Sequence, residues 1–515
     1  MTRGQRTARI GCMSEEIELK LSLPPRALAA LRRHPLVAGA EKLGNAVTLD
    51  NTYHDTADLA LKARKVAVRI RRRGRVLLQT VKCAAQSAGG LSSRPEWEQP
   101  YRDAFDFSQV DDPATAKLLA RHAATLVPVF NTRFRRETRL HRAANGAEIL
   151  LMIDRGEVIA GDRRAPICEL ELELQSGRAT DLLELACELA RGVPLMPNDM
   201  SKAERGYRLF LDQHARPARA EASTINARMD PVEAFRTLAF SALRQWQANT
   251  HGAAGHNDDA PEFIHQLRIA TRRLRSLLRL FEPALPAGFT DTWGERLRET
   301  AERFGSARDL DVLNTELLDP LVPDWLTEGD ALPRLLEVAR AARAEARQAA
   351  VRGLDAAGQG RLMLEFTLAL HCLPTNPLID SADLVTFSRL RLSRLRKRAR
   401  RRFEASDSLI PARLHALRIA LKQLRYGVEF FAPLLPAKST ARYLDTLVRA
   451  QDTLGFLNDV DVARGRLDNW AEEDESLRPA TAFVAGWHGP RYARLRRRTL
   501  QEVRPLLWGR APWRT

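Results

Sequence analysis

The 515-residue chain is short of several things, and each shortage excludes a class of protein. It has five cysteines (Cys12, Cys83, Cys168, Cys187 and Cys372), and no two sit at metal-ligand spacing. An odd, dispersed set reads as reduced thiols. That sets aside a disulfide scaffold or a zinc module and points to a cytoplasmic setting. No run of 18 apolar residues occurs, so no membrane-spanning helix is expected. Residues 1–12 are basic but lack the apolar core of a secretory signal. Met13, followed by Ser14, reads as an alternative start. Aromatics are 6% of the chain, and no aromatic-rich stacking platform accompanies its basic runs, so nucleic acid is not an expected partner.

Positive charge is what the chain has in surplus. The formal net charge is +17, with +9 before residue 220 and +8 after it. Both halves therefore favour polyanionic partners, although a generally Arg-rich composition gives the same surplus. Five short stretches place charges at alternate positions: Glu16, Glu18 and Lys20; Arg69 and Arg71; Thr80 and Lys82; Glu96 and Glu98; Glu169, Glu171 and Glu173. A strand sends alternate side chains to one face, so each stretch has a charged face. Salt-bridge ladders on a surface would fit any one of them. Five together, acidic and basic, fit a closed sheet with a charged lumen and an apolar outside.

Strand patterns fall at 15–23, 47–55, 65–73, 75–83, 94–101, 132–142, 147–154 and 166–175, with helical patches near 25–34, 113–125 and 178–191. Residues 213–228 are polar and read as a linker, and 251–260 as a loop. From 229 to 508 only helical periodicity remains, with segments such as 308–318, 359–370, 439–453 and 458–470. The expected fold is multidomain α+β: an eight-stranded antiparallel barrel with flanking helices over 14–212, then an all-α domain over 229–508.

The helical half repeats itself at an offset of 150. His265, Arg268, Arg272 and Arg275 align with His415, Arg418, Lys422 and Arg425; Phe281 with Phe431; Gly305, Arg308 and Asp309 with Gly455, Asn458 and Asp459. Some 48 residues run in register without a gap. Two related bundles, about 229–370 and 380–508, packed about a pseudo-twofold axis, follow, with the best-matched pieces near the axis. In each, a histidine opens a helix whose cations fall near one face. Such like charge is costly unless an anion sits there. Neither histidine has a carboxylate or cysteine at i+3 or i+4, which argues against a metal site. Gln423 replaces Arg273 in the second repeat and would make that wall less cationic. Residues 389–402 hold nine Arg/Lys in fourteen and read as an amphipathic helix bordering the groove.

The ordered set Glu16-Ile-Glu18-Leu-Lys20, Tyr53-His-Asp55-Thr56, Arg69-Ile-Arg71, Thr80-Val-Lys82, Arg94-Pro-Glu96-Trp-Glu98, Glu169-Leu-Glu171-Leu-Glu173 and Ser201-Lys202 to Tyr207 resembles the CYTH superfamily, the triphosphate tunnel metalloenzymes. The resemblance implies an eight-stranded tunnel that binds a triphosphate and one or two divalent ions, Mg²⁺ or Mn²⁺. It makes Glu16, Glu18, Glu169, Glu171 and Asp154 metal ligands, with Glu96, Glu98 and Glu173 beside them. Lys20, Arg69, Arg71, Lys82, Arg94, Arg136 and Lys202 would grip phosphates. Glu16, Glu18 and Lys20 form the expected catalytic set, Lys20 neutralising the leaving phosphate. The helical half resembles the CHAD domain, which implies two four-helix bundles with a basic groove for inorganic polyphosphate. The expected groove residues are His265, Arg268, Arg272, Arg275, His415, Arg418, Lys422 and Arg425. The fusion looks like a cytoplasmic inorganic triphosphatase, with association to polyphosphate granules an open extension. A non-catalytic polyphosphate binder, a thiamine triphosphatase or a class IV adenylyl cyclase are the alternatives.

Overall fold

The computed structural model describes residues 14–83, 86–253, 260–325, 329–354, 356–374 and 383–514. The expected extension 1–12 with Cys12, residues 254–259 of the expected loop, and 375–382 between the expected repeats lie outside the described residues. The chain forms two compact units. One is Met1–Ala215 with Asp355–Cys372; the other is Arg216–Leu354 with Leu373–Thr515.

The first unit is built on eight antiparallel strands: β1 (Ser14–Ser22), β2 (Val47–Asp55), β3 (Val66–Arg73), β4 (Val76–Cys83), β5 (Leu91–Pro100), β6 (Val127–Arg142), β7 (Glu148–Ala160) and β8 (Arg163–Ser176). Around the barrel the order is β1-β8-β7-β6-β2-β3-β4-β5, and β5 pairs back to β1, so the sheet closes. Closure leaves these eight strands no free edge. Three strands of two or three residues (Glu41–Lys42, Gln86–Ala88 and Met196–Pro197) attach to it.

Alternation sorts the strands into two faces. Leu19 and Leu21 of β1, Leu151 and Ile153 of β7, and Leu170 and Leu172 of β8 point out of the barrel. They are buried against Leu182, Leu183, Ala186 and Leu189 of helix α2 (Ala179–Leu189). Helix α1 (Pro113–His122), capped by Asp112, which accepts the Thr115 N–H at 2.7 Å, covers Val81 and Trp97 with Leu119. The outward apolar side chains thus find helical cover, and the intervening charges are left facing in. Helix α3 (Lys202–Phe210) is capped by Ser201 and packs so closely on β6 that a Cβ on Gly206 would overlap the Phe130 ring. Residues 355–372, expected in the helical half, belong to this unit: Leu364 lies in the α2 core and is fully buried.

The second unit is all helical. Its first repeat packs α4 (Pro231–Ala253) on α5 (Ala260–Phe281), α5 on α6 (Phe289–Arg303), and α7 (Gly305–Val312) on α8 (Ala331–Arg352). After α9 (Arg361–His371), the second repeat packs α10 (Leu384–Glu404) on α11 (Pro411–Phe431), α11 on α12 (Ala437–Glu473), and α12 on α13 (Arg478–Trp508). Equivalent residues meet where the repeats join: Phe281 and Phe431 stand 5.5 Å apart between ring centroids.

The repeats differ at one point. The first breaks at Phe304, where the Arg268 guanidinium donates to the carbonyls of Phe304 (3.0 Å) and Gly305 (2.6 Å). In the second, the expected helices 439–453 and 458–470 are one unbroken helix through Gly455. A cation that donates to two carbonyls at the break gives it a partner, as helix ends require. The basic run 389–402 is also divided. Arg400 donates to the Leu507 carbonyl at 2.7 Å, Arg391 to that of Arg279 at 2.7 Å, and Arg396 to those of Leu506 and Gly509. These guanidiniums serve as caps on helix ends, where cations are favoured.

Candidate active site and anion groove

The barrel register sets the lumen chemistry. Arg94 lies directly opposite Glu16, Lys82 opposite Glu96, Lys20 opposite Glu171, and Arg136 opposite Asp154. Opposite charges at facing positions stabilise a sheet; like charges destabilise it. Two facing pairs of lumen carboxylates are like: Asp154 with Glu169, and Glu18 with Glu173. The first is relieved by a residue from outside the sheet. Lys202, at the start of α3, places Nζ 2.7 Å from Asp154 and 2.9 Å from Glu171, and bonds Glu169 as well.

Around Lys202 the three carboxylates Asp154, Glu169 and Glu171 converge, one oxygen of each within 4.8 Å of the others. Arg136 chelates Asp154 at 2.7 and 2.6 Å and reaches Glu171 at 2.5 Å. Arg205 holds the far oxygen of Glu169 at 3.1 Å. Burial alone would push the Glu171 carboxyl up, but Lys202, Arg136 and Lys20 outweigh it and hold that pKa well below the ordinary range. The reciprocal effect lifts Lys202: burial opposes its charge, and Asp154, Glu169 and Glu171 more than restore it.

A second group forms across β1, β4 and β5. Lys20 bonds Glu18 at 2.6 Å, and Arg94 bonds Glu18 and also Glu16 (3.2 Å). Lys82 bridges Glu16 (2.9 Å) and Glu96 (2.6 Å). Burial raises the Glu96 carboxyl, yet Lys82 and its neighbours bring it down to about 2. Glu173 is the exception: burial and the nearby Glu16 push it up to about 7. Arg69 lies 3.7 Å from Glu96, and Arg71 3.7 Å from Glu98. Burial, then Arg69 and Arg136, push Arg71 down to about 10.

The lumen therefore gathers Glu16, Glu18, Lys20, Arg69, Arg71, Lys82, Arg94, Arg136, Asp154, Glu169, Glu171 and Lys202 in two connected sets. Three participants had no lumen role assigned from the sequence, Tyr53 having entered only as part of the ordered motif set. Asn51 accepts from Arg71 at 2.9 Å, Tyr53 accepts from Arg69 at 3.5 Å, and Arg205 grips Glu169. Asn51 and Tyr53 share the lumen parity of β2, and Arg205 lies one helical turn past Lys202, so periodicity could have found them. Asp55 of the same strand is different. It accepts from the backbone N–H groups of Thr56, Leu61 and Lys62 and from the Tyr207 hydroxyl, at 2.7–2.9 Å.

In the helical unit, α5 and α11 bring equivalent cations face to face. Arg268, Arg272, Arg418 and Lys422 act on one another electrostatically, with Asp309 and Asp459 at the margin. Arg268 lies 3.8 Å from Asp309. Among the described residues, no carboxylate lies within ion-pair distance of Arg272, Arg418 or Lys422. Buried Nε groups of Arg272 and Arg418 have no hydrogen-bond acceptor there. Burial, then Arg272 and Arg418, push the Lys422 ammonium down to about 6. His265 falls to about 4 through burial and the facing Arg308. Its counterpart His415 is exposed and meets Asn458, an amide where the first repeat has Arg308. Arg275 and Arg425 lie two turns along. Arg425 is bonded to Glu429 (2.8 Å) and Gln451 (3.0 Å), and Arg275 feels Arg279 and the carboxylates Glu302 and Glu295. Arg273 packs over the Phe430 ring 3.6 Å from Glu429, so it is an interior residue and its replacement by Gln423 does not thin a groove wall.

Residues 14–207 match the CYTH domain family, and residues 237–468 match the CHAD domain family. An inorganic triphosphatase of Haemophilus influenzae is 32% identical over 203 residues, 38% of this chain and 55% of that protein. The chain thus spans about half the length of this curated relative. The solved CHAD domain of the plant Ricinus communis is 30% identical, covering 58% of this chain and 98% of that one at a TM-score of 0.49. A Hippeastrum protein, classed as an adenylyl cyclase and described as having a dominant triphosphatase activity, is 21% identical over 38% of this chain and 95% of its own, at a TM-score of 0.28. No helix among the described residues is long and apolar enough to cross a membrane. The chain carries a CYTH domain over residues 14–207 and a CHAD domain over residues 237–468.

Proposed function

We propose that the barrel hydrolyses inorganic triphosphate to diphosphate and phosphate with Mg²⁺ or Mn²⁺, and that the helical groove binds inorganic polyphosphate. The observation that carries the enzymatic reading is the convergence of carboxylates and cations from different strands in one enclosed lumen. Three carboxylate oxygens within 4.8 Å of one another are hard donors suited to such ions, and the Lys202 ammonium already sits among them as a cation. Asp154, Glu169 and Glu171 would hold one ion; Glu16 and Glu18 would serve a second. A bound divalent ion supplies charge neutralisation on phosphate oxygens and a more acidic water.

The chain's own residues do the rest. Lys202 and Arg136, now directed at carboxylates, turn to phosphate oxygens when ligand brings its own cation. Arg69, Arg71, Lys82 and Arg94 line the path of the remaining phosphates and fix the chain in line for attack. Lys20 takes the charge that develops on the leaving diphosphate oxygen as water attacks the terminal phosphorus. Inorganic triphosphate is favoured over an organic one because the aromatic candidates for a base platform are occupied. Tyr53 stacks on Phe130 at 4.6 Å, and Trp97 is buried under α1 with its N–H on Asp111 at 3.0 Å.

Phosphate release from triphosphate, with ATP, thiamine triphosphate and long polyphosphate beside it, tests the reading in Mg²⁺ and in Mn²⁺. Turnover confined to triphosphate and abolished in Glu18→Ala is expected; equal background in both proteins would sink it. For the groove, His265→Ala combined with Arg268→Ala should weaken salt-sensitive binding of long polyphosphate, and unchanged affinity would count against it.

A further inference from the structure

The barrel unit contains a piece of chain that is remote in sequence, residues 355–372. Helix α9 lies on α2, with Leu364 sealed in the core beneath it. Ahead of α9, Gly360 seats on the short strand Met196–Pro197. A Cβ there would overlap the Leu195 carbonyl oxygen and stand 3.1 Å from Met196 Cα. Two turns on, fully buried Thr367 packs on Gly89, where a Cβ would overlap its hydroxyl. Both contacts are made without slack.

The two segments so backed are the ones that hold β1 at Lys20. The Lys20 N–H donates to Gly90 O at 2.9 Å, and the Lys20 carbonyl accepts from Asn198 N–H at 2.9 Å. Gly90 N–H in turn donates to Asp199 at 2.9 Å, and Leu21 and Ser22 pair with Pro197 and Met196. Gly90 needs its positive φ of 85° and its missing side chain, since a Cβ would stand 2.7 Å from the Lys20 carbonyl oxygen. The backbone of Lys20 is thus gripped from both sides by segments whose far surfaces rest on Gly360 and Thr367.

We propose that residues 356–371 are a brace of the barrel, and that Gly360 and Thr367 are positioning residues that set the placement of Lys20 in the lumen. The kinetic consequence rests on the triphosphatase reading; the structural one does not. Close packing transmits a displacement rather than absorbing it. A shift of β1 moves the ammonium off the leaving diphosphate while the other six phosphate-facing cations, on other strands or on α3, keep their places. Such a loss falls on turnover more than on substrate capture.

The test uses the full chain with Gly360→Ala and Thr367→Val. Alanine is the better helix former, so a loss in Gly360→Ala traces to the overlap with Leu195. Hydrogen exchange should quicken about tenfold or more in peptides covering 14–22, 86–91 and 196–199, with 127–160 keeping its protection. In phosphate release, kcat should fall about tenfold with KM within about threefold of wild type. Thr367→Val keeps the branched shape against Gly89 and gives up only the hydroxyl's bond to the Met363 carbonyl one turn back (2.7 Å), so exchange over 86–91 and kcat should stay within about threefold of wild type, the shape and not the hydroxyl being what braces Gly89. Unchanged exchange over 14–22 in Gly360→Ala would overturn the proposal, as would acceleration spread evenly over the barrel. So would a kcat loss equal to the unfolded fraction read by circular dichroism. A wild type that releases no phosphate would strike the triphosphatase reading alone, and the exchange result would still decide the brace.

Discussion

The barrel lumen and the helical groove use the same cations in opposite ways. In the lumen nearly every Arg and Lys has a carboxylate beside it: Lys20 has Glu18, Lys82 has Glu16 and Glu96, Arg136 has Asp154 and Glu171. In the groove Arg272, Arg418 and Lys422 have none among the described residues, and Lys422 is pushed down to about 6. A charge-matched cavity suits a ligand that arrives with its own cations, since carboxylates take the metal and the released cations take the phosphates. A charge-unmatched groove suits a bare polyanion, whose binding relieves repulsion already present. Metal should therefore govern the first site and salt the second.

The largest effect expected from this contrast is on the carboxylates. Glu169→Gln removes one donor of the Asp154–Glu169–Glu171 set and leaves Lys202 and Arg205 short of a partner. Triphosphate turnover should fall by about a hundredfold or more, on the scale of losing one preorganised electrostatic group. Chelation of divalent ions should do the same to wild type while leaving polyphosphate binding by the groove in place. Polyphosphate release on chelation, read by a filter-binding assay, would break the contrast.

A smaller effect is expected from the groove. Lys422→Ala and Arg272→Ala should each weaken polyphosphate binding by roughly tenfold at low salt, and each should reduce the slope of log affinity against log salt by about one. The pH dependence has a definite sign. The free Lys422 ammonium is lost above about 6, and a bound anion favours the charged form, so binding takes up a proton in the window above 6. Affinity should rise as pH falls towards 6 and level off below it. Lys422→Arg, which holds its proton throughout, should flatten that profile; an equal slope in both proteins would remove Lys422 from the groove.

Much of this contrast was legible in the sequence, for a physical reason. A strand repeats every two residues, so Glu16, Glu18 and Lys20, or Glu169 and Glu171, declare a common face without any partner being known. The 150-residue repeat likewise placed Arg268 and Arg418 in equivalent roles. What stayed hidden depends on contacts between distant segments. Lys202 opens a helix and shows no alternation, so only the family resemblance put it among the phosphate-gripping cations, and nothing local says that it enters an acidic cluster. Helix α9 reads like any other amphipathic helix of the second half, yet Leu364 is buried in the barrel unit. The break at Phe304, absent at the matching position of α12, depends on where the Arg268 guanidinium reaches. Arg396 reads as a groove cation by composition, but its carbonyl partners lie more than a hundred residues away.

The smallest expected effect concerns a carboxylate that the contrast sets apart. Asp55 is fully buried in the barrel unit, as Asp154 is, yet its hydrogen-bond donors are three backbone N–H groups and the hydroxyls of Tyr207 and Thr56, not ammonium or guanidinium. Neutral donors hold a fixed acceptor and offer nothing to exchange with phosphate, so Asp55 ties the end of β2 to the start of the helix Ala60–Ala63 and to α3. Tyr207→Phe removes one of five bonds to Asp55 and leaves the ring packed on Phe130 at 5.0 Å. The cost should be about 1 kcal/mol, the usual worth of one such bond. In a barrel of this size that lowers the melting temperature by roughly 2–4 °C. Triphosphate turnover and its metal requirement should stay at wild-type values, because no lumen cation loses its partner. A collapse of turnover in a folded Tyr207→Phe protein would show that a buried carboxylate held by neutral donors also serves the ligand, and the kind of partner around a carboxylate would no longer separate the working groups of the lumen from its framework.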